Sequence, residues 1–141
     1  MPYNILVVDD SRSLRRVMIK TIRMCHIGDV TYLQAGNGVE ALEVLSHEWI
    51  DMIFTDINMP EMDGYTLVEE IRKNPVFEKT PIVVITSETR RRDMNNILEG
   101  KVEAILTKPF RPEDIRDYLI KLLAIEEQEN AEDDDFEGVD F

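Results

Sequence analysis

The stretch Tyr3-Asn4-Ile5-Leu6-Val7-Val8-Asp9-Asp10-Ser11 decides the fold. Its apolar part is short and lacks the polar alternation of a half-solvated strand, so it reads as a strand buried on both faces. The run stops at two adjacent carboxylates. Ser11 then offers a side-chain oxygen suited to capping a helix. Leu14, Val17, Met18, Ile22 and Cys25 follow at three- and four-residue spacing and predict one apolar helix face.

The strand–helix alternation continues outward from there. Residues 30–34 read as a second strand, and Asn37-Gly38 opens a second helix with Val39, Leu42 and Leu45 on its apolar side. Residues 51–55 form a third strand ending at Asp56. A loop rich in Pro, Gly and Asp, from Asn58 to Gly64, leads to a third helix with Leu67, Val68 and Ile71 inside. Residues 81–85 are the most apolar strand, 90–98 a short fourth helix, and 103–107 a fifth strand. Pro112 suits the first turn of a fifth helix ending near Ile125. Five such units predict an α/β fold: a five-stranded parallel sheet, doubly wound, with five helices covering both faces. In open sheets of this kind a ligand binds beyond the carboxyl ends of the strands, at the topological switch point.

Composition bounds the function. The 141 residues are 43% apolar and 32% charged, as expected of one globular domain. Cys25 is the single cysteine, so no intrachain disulfide forms and a reducing compartment fits. No apolar run approaches the roughly 20 residues of a membrane span, and Asp9 and Asp10 interrupt the early apolar run, so neither membrane insertion nor a signal peptide is expected. The expected location is the cytoplasm. The net charge is −13, and residues 126–141 carry nine acids and no base. The first 125 residues hold 16 bases against 20 acids. Nucleic acid is thereby excluded as a natural partner, because phosphate binding needs clustered Lys and Arg. The composition break divides the chain into a folded domain, 1–125, and an acidic tail, 126–141, that is flexible or serves as a short recognition segment.

Five chemistry-bearing residues stand at strand carboxyl ends: Asp9 and Asp10 after strand one, Asp56 after strand three, Thr86 after strand four and Lys108 after strand five. Each alone has an ordinary structural explanation, such as turn former, cap or solvated cation. Jointly they do not, because like charges held together cost stability unless a cation is shared. Carboxylate oxygens suit a hard divalent ion, Mg²⁺ or Mn²⁺ in its place. His26 and His47 lie far apart in sequence with no cysteine beside them, which excludes a zinc site. A carboxylate held beside Mg²⁺ and Lys is a nucleophile. Asp56 is placed to attack phosphorus and form an aspartyl phosphate. The cation and Lys108 would neutralise the phosphoryl oxygens, and Thr86 would hydrogen-bond one of them. The added negative charge would draw the hydroxyl and its loop inward and so change a surface.

Four elements now carry a resemblance: Ile5-Leu6-Val7-Val8-Asp9-Asp10, Thr55-Asp56-Ile57-Asn58-Met59-Pro60-Glu61-Met62-Asp63-Gly64, Ile85-Thr86-Ser87 and Thr107-Lys108-Pro109-Phe110. In this order they are similar to response-regulator receiver domains, and to the stand-alone chemotaxis type in particular, over residues 3 to about 125. The resemblance implies a flavodoxin-like sheet of order 2-1-3-4-5. It implies Asp56 as phosphoacceptor, Asp10 and Asp56 as direct Mg²⁺ ligands, the Asn58 backbone carbonyl as a third, and Asp9 orienting a metal-bound water. Thr86 and Lys108 would bind the phosphoryl group. Implied partners are a sensor histidine kinase or phosphotransfer protein, a target that binds the phosphorylated form, and a phosphatase.

Within that family the position three residues before the strand-five Lys is usually Tyr or Phe and rotates inward when the Thr moves. Here it is Ile105, stiff at χ1 and without a polar tip. Switching is therefore expected to run through the segment Thr86 to Thr89. Asn58 and Glu88 occupy the positions that influence phosphate lifetime in the family and imply fairly fast self-dephosphorylation. Helix four, strand five and helix five would form the output face, where Arg90, Arg91 and Arg92 are a solvated charge run or a dock for an acidic peptide. The tail carries Phe136 and Phe141 among its acids as candidate anchors for the chain's own helix four, a neighbour or another protein. Trp49 reads as packed at a helix–strand junction, and Met18, Met52 and Met94 as core filler. The chain ends too soon for a DNA-binding module, so output by protein contact is expected. Three other readings stand beside this one. A small phosphatase of the haloacid dehalogenase type needs an acid where Asn58 stands. A flavodoxin-like flavin binder would place phosphate against Asp9-Asp10. A receiver acting without phosphorylation, as a binding module, is the third.

Overall fold

The computed structural model describes residues 2–87 and 91–123, with Arg91 described by its backbone alone. The strands are β1 Tyr3–Val8, β2 Val30–Ala35, β3 Met52–Thr55, β4 Ile82–Thr86 and β5 Ala104–Thr107. The α-helices are α1 Arg12–Arg23, α2 Gly38–Leu45, α3 Gly64–Lys73, α4 Arg91–Leu98 and α5 Pro112–Leu122. All pairings are parallel, and the sheet order is β2-β1-β3-β4-β5. This is the order the resemblance implied.

The central strands are apolar throughout because both of their faces are covered. Leu6, Val8, Ile53, Ile82 and Val84 point to the side of α2, α3 and α4, where Ala41, Leu67, Ile71 and Met94 close over them. Ile5, Val7, Met52, Phe54, Val83 and Ile85 point to the other side, against Met18, Ile22, Ile115 and Leu119 of α1 and α5. Successive side chains of one strand feed opposite cores, as a pleated strand requires. Met18, Met52 and Met94 are buried, as expected of core filler.

Local chemistry sets the helix starts. Side-chain oxygens of Ser11, Asn37 and Asp63 accept backbone N–H bonds from Leu14, Glu40 and Thr66. Pro112 occupies the first turn of α5, where its missing N–H costs nothing. A short 3-10 turn, Pro75–Phe77, joins α3 to β4 and was not expected from the sequence.

Three apolar expectations are corrected. Leu14 and Val17 are exposed on α1, because α5 covers only the Met18–Ile22 side. Val39 is exposed on α2. Trp49 is 72% exposed; its ring N–H donates to Asp51 Oδ1 at 3.1 Å, so the indole lies along the surface instead of packing at the junction. No described helix is long and apolar enough to cross a membrane.

Candidate functional site

Sheet register builds the site. β1 and β3 pair with Val8 opposite Thr55, so the residues that follow them, Asp9 and Asp56, emerge side by side. β4 and β5 pair with Thr86 opposite Thr107, which delivers Lys108 to the same rim. The Asp56 N–H donates to Val8 O at 2.9 Å and the Lys108 N–H to Thr86 O at 2.8 Å, extending the ladder by one bond on each side.

The side chains then meet. Lys108 Nζ donates to Asp9 Oδ2 at 2.7 Å and to Asp56 Oδ2 at 3.0 Å. Asp9 is fully buried and Asp56 nearly so, whereas Asp10 is exposed. Carboxylate oxygens of Asp9, Asp10 and Asp56 lie within 4.8 Å of one another. The second oxygens are fixed by backbone: Ser11 N–H donates to Asp9 Oδ1 at 2.8 Å and Ile57 N–H to Asp56 Oδ1 at 2.6 Å. Three carboxylates face one ammonium, so the pocket keeps room for more positive charge. Burial alone would lower the Lys108 pKa, but its hydrogen bonds and charge contacts with Asp9 and Asp56 outweigh that, and it stands above the ordinary lysine value.

The loop after Asp56 is shaped by contact with the site's own backbone. Gly64 opens α3, and a Cβ there would run into the Asp56 carbonyl oxygen and the Ile57 Cα. The Gly64 N–H donates to Ile57 O at 2.8 Å. Glycine is thus required by close approach. Glu61 takes a left-handed φ of 67° at the tip of this loop.

Sequence reasoning passed over one contributor. Arg15 reaches back from the first turns of α1; its Nη1 donates to the Asp9 carbonyl oxygen at 2.6 Å and its Nε to Gln34 Oε1 at 2.9 Å. A base half a dozen residues after an acid pair, on the opening turns of the next helix, was the available signal. Thr86 is fully buried at the end of β4, at the rim itself. Ile105 is half-buried, opposite Val84, against the core on the α4 side. Asn58 is exposed two residues beyond Asp56, and Arg92 is exposed on α4. Glu88, Arg90, the side chain of Arg91, Phe136 and Phe141 lie outside the described residues.

The donor set is all oxygen, preorganised and anionic, which fits a hard divalent cation. It does not fit a flavin phosphate, which the adjacent carboxylates of Asp9 and Asp10 would repel.

Known proteins agree with this geometry. The family profile of the response regulator receiver domain matches residues 5–120. A chemotaxis protein CheY homolog of Campylobacter jejuni is 35% identical over 128 residues, covering 90% of this chain and 97% of that protein. Chemotaxis protein CheY1 of Helicobacter pylori is 37% identical over 116 residues, covering 82% and 92%. The crystal structure of chemotaxis response regulator CheY4 of Vibrio cholerae superposes with a TM-score of 0.71 at 30% identity, covering 86% of this chain and 99% of that one. The chain belongs to the response regulator receiver domain family, the phosphorylation-based signalling switches of which CheY-type single-domain regulators are members.

Proposed function

We propose that this chain is a phosphorylation switch in which Asp56 accepts a phosphoryl group and passes the event to a protein partner. One observation carries the reading: Asp9, Asp10 and Asp56 converge within 4.8 Å while a single ammonium, Lys108, is hydrogen-bonded to two of them. Structural needs alone do not assemble that charge excess.

Asp10, Asp56 and the Asn58 backbone carbonyl would hold Mg²⁺, or Mn²⁺ in its place, with Asp9 orienting a water beside it. When bound, the ion supplies positive charge for the phosphoryl oxygens. The chain's own part is positional. The Ile57 N–H fixes one Asp56 oxygen and leaves Oδ2, at Lys108, to attack. The new O–P bond forms as the P–N bond to a donor histidine breaks, and the departing imidazole takes a proton. Lys108 can then turn its N–H bonds from the carboxylates to a phosphoryl oxygen, and the Thr86 hydroxyl can bind another. Movement of Thr86 shifts the segment that follows it and so alters the face built by α4, β5 and α5. Ile105 has no polar tip to join that movement, so the β4–α4 segment carries the change. Asn58 and Glu88, two residues beyond Asp56 and Thr86 in sequence, occupy the positions that influence phosphate lifetime in this family, and the lifetime here is short.

The domain is 1–125 and the acidic tail 126–141 an appendage. The donor is a sensor histidine kinase or a phosphotransfer protein, and a phosphatase resets the switch. The similarity to proteins named for chemotaxis favours motility as the process.

The test is intact mass after incubation with Mg²⁺ and acetyl phosphate. The parent should gain one phosphate and Asp56→Asn none. A gain retained by the variant, or steady hydrolysis of phosphate esters by the parent, would refute the reading.

A further inference from the structure

We propose that the exposed face of α1 is a docking surface for an acidic, aromatic-bearing peptide, and that its occupant is this chain's own segment 126–141. The inference goes beyond the phosphorylation switch and does not depend on it.

The first observation is charge. α1 carries Arg12, Arg15, Arg16, Lys20 and Arg23 and no acid. Arg15 is taken up by Asp9 O and Gln34. Arg12, Arg16, Lys20 and Arg23 are exposed, and their spacing of four, four and three residues places them in one stripe along the helix. None of the four forms an ion pair among the described residues; Arg23 only lies over the Tyr32 ring, 5.2 Å from its centroid. A bare cationic stripe on a chain of net charge −13 attracts polyanions. Among the described residues the α4–β5 side offers less. There Arg92 is followed by Asp93, Lys101 is bound by Glu69 at 2.8 Å, and Glu99 and Glu103 add acid.

The second observation is shape. Beside the stripe, Leu14 and Val17 are exposed and, with Met18, Pro109, Phe110 and the Lys108 stem, line a mainly apolar cleft of about 290 Å³. That cleft has room for an aromatic ring. A surface pairing a cationic stripe with an apolar cleft asks for a peptide pairing acids with aromatics. Residues 126–141 hold nine acids, Phe136 and Phe141.

The third is reach. α5 packs on the core that α1 shares: the Cys25 thiol, two residues past α1, donates to Pro112 O at 3.6 Å in the first turn of α5, and Leu122 and Leu123 rest on the same core at the far end of that helix. The described chain therefore ends on the α1 side of the sheet, about 16 Å along α5 from the contact with Cys25. Residues 124–141 span on the order of 60 Å when extended, and α1, at 12 residues, is about 18 Å long. Tethering at this range gives an effective concentration of about millimolar, which compensates for the weakness of each exposed ion pair.

The test compares amide NMR spectra of the full chain with those of a chain stopped after residue 125, at low salt and in about 0.5 M NaCl. Docking predicts shift differences at Arg12–Met24 and Lys108–Phe110, shrinking at least about twofold in salt. A synthetic 126–141 peptide added to the shortened chain should move the same amides. The peptide carrying Phe136→Ala and Phe141→Ala should bind at least about tenfold more weakly. Differences confined to residues 91–105, no localised difference, or differences that grow with protein concentration and so report a second copy, would each overturn the proposal. The shortened chain leaves α1 intact, so the result does not hinge on a variant that fails to fold.

Discussion

Asp56 and Ile105 lie two strands apart on one sheet, and the fold holds them in opposite ways. Asp56 follows a strand buried throughout, has one oxygen on the Ile57 N–H and the other on Lys108, and has its carbonyl so close to Gly64 that no side chain fits there. Ile105 sits on the edge strand, half-buried, at the margin of the α4-side core, where a shallow depression lined by Asn95, Glu99 and Val102 opens to solvent. Chemistry needs a carboxylate fixed to a fraction of an ångström. A docking face needs a surface with more than one arrangement. One sheet supplies both because its middle is covered on two faces and its edge is not.

The sharpest way to break the contrast is to loosen the fixed corner. In Lys108→Met the ammonium leaves while Asp9 stays fully buried, and the metal-free protein should lose about 3 kcal/mol of stability by urea denaturation. Saturating Mg²⁺ should restore at least half of that by binding only the folded state. A variant as stable as the parent without metal would mean that the three carboxylates do not repel as their spacing requires. The parent has a matching pH signature. Its Lys108 pKa is raised from 10.5 in the folded state. The resulting stabilisation is fully present below the unfolded value and is lost as pH rises through the folded one. Metal-free parent should therefore lose stability above about pH 10.5 more steeply than Lys108→Met.

Gly64→Ala tests the loop of the same corner. The new Cβ meets backbone atoms of Asp56 and Ile57, which cannot swing aside as a flexible side chain would. A cost of about 2 kcal/mol is expected in thermal unfolding. Displacement of Asp56 should slow its labelling by acetyl phosphate about tenfold. Unchanged labelling would separate loop shape from chemistry.

The same contrast explains what was legible in the sequence. The alternation of strands and helices was readable because each buried strand is a short run of aliphatics that ends at a polar break, as Ile82–Thr86 does, whereas the order of the strands in the sheet came from the family resemblance. The converging acids were readable because parallel strands place all their carboxyl ends on one rim. Side-chain traffic across the rim was not. Arg15 reaching Asp9 O needs the angle at which α1 leaves β1, and no local pattern fixes that. Leu14 and Val17 differ from the expected core because periodicity marks an apolar face without saying how much of it a neighbour covers. Trp49 failed for a related reason: its polar N–H found Asp51, and the ring stayed in water.

The smallest expected effect lies at the loose corner. Ile105→Tyr restores the aromatic usual in the family. The position is half-buried, so a ring can lie outward over β5 without overpacking the core around Val84. Stability should change by less than about 1 kcal/mol, and the rate of acetyl phosphate labelling by less than about threefold, because Lys108 and Asp56 are held by their own contacts. If switching runs through the segment after Thr86, the phosphorylation-dependent amide shifts at residues 86–87 should be the same in parent and variant. A labelling rate altered more than about tenfold, or shifts at 86–87 that appear only once the ring is present, would show that residue 105 governs the fixed corner. The division of labour across this sheet would then have to be redrawn.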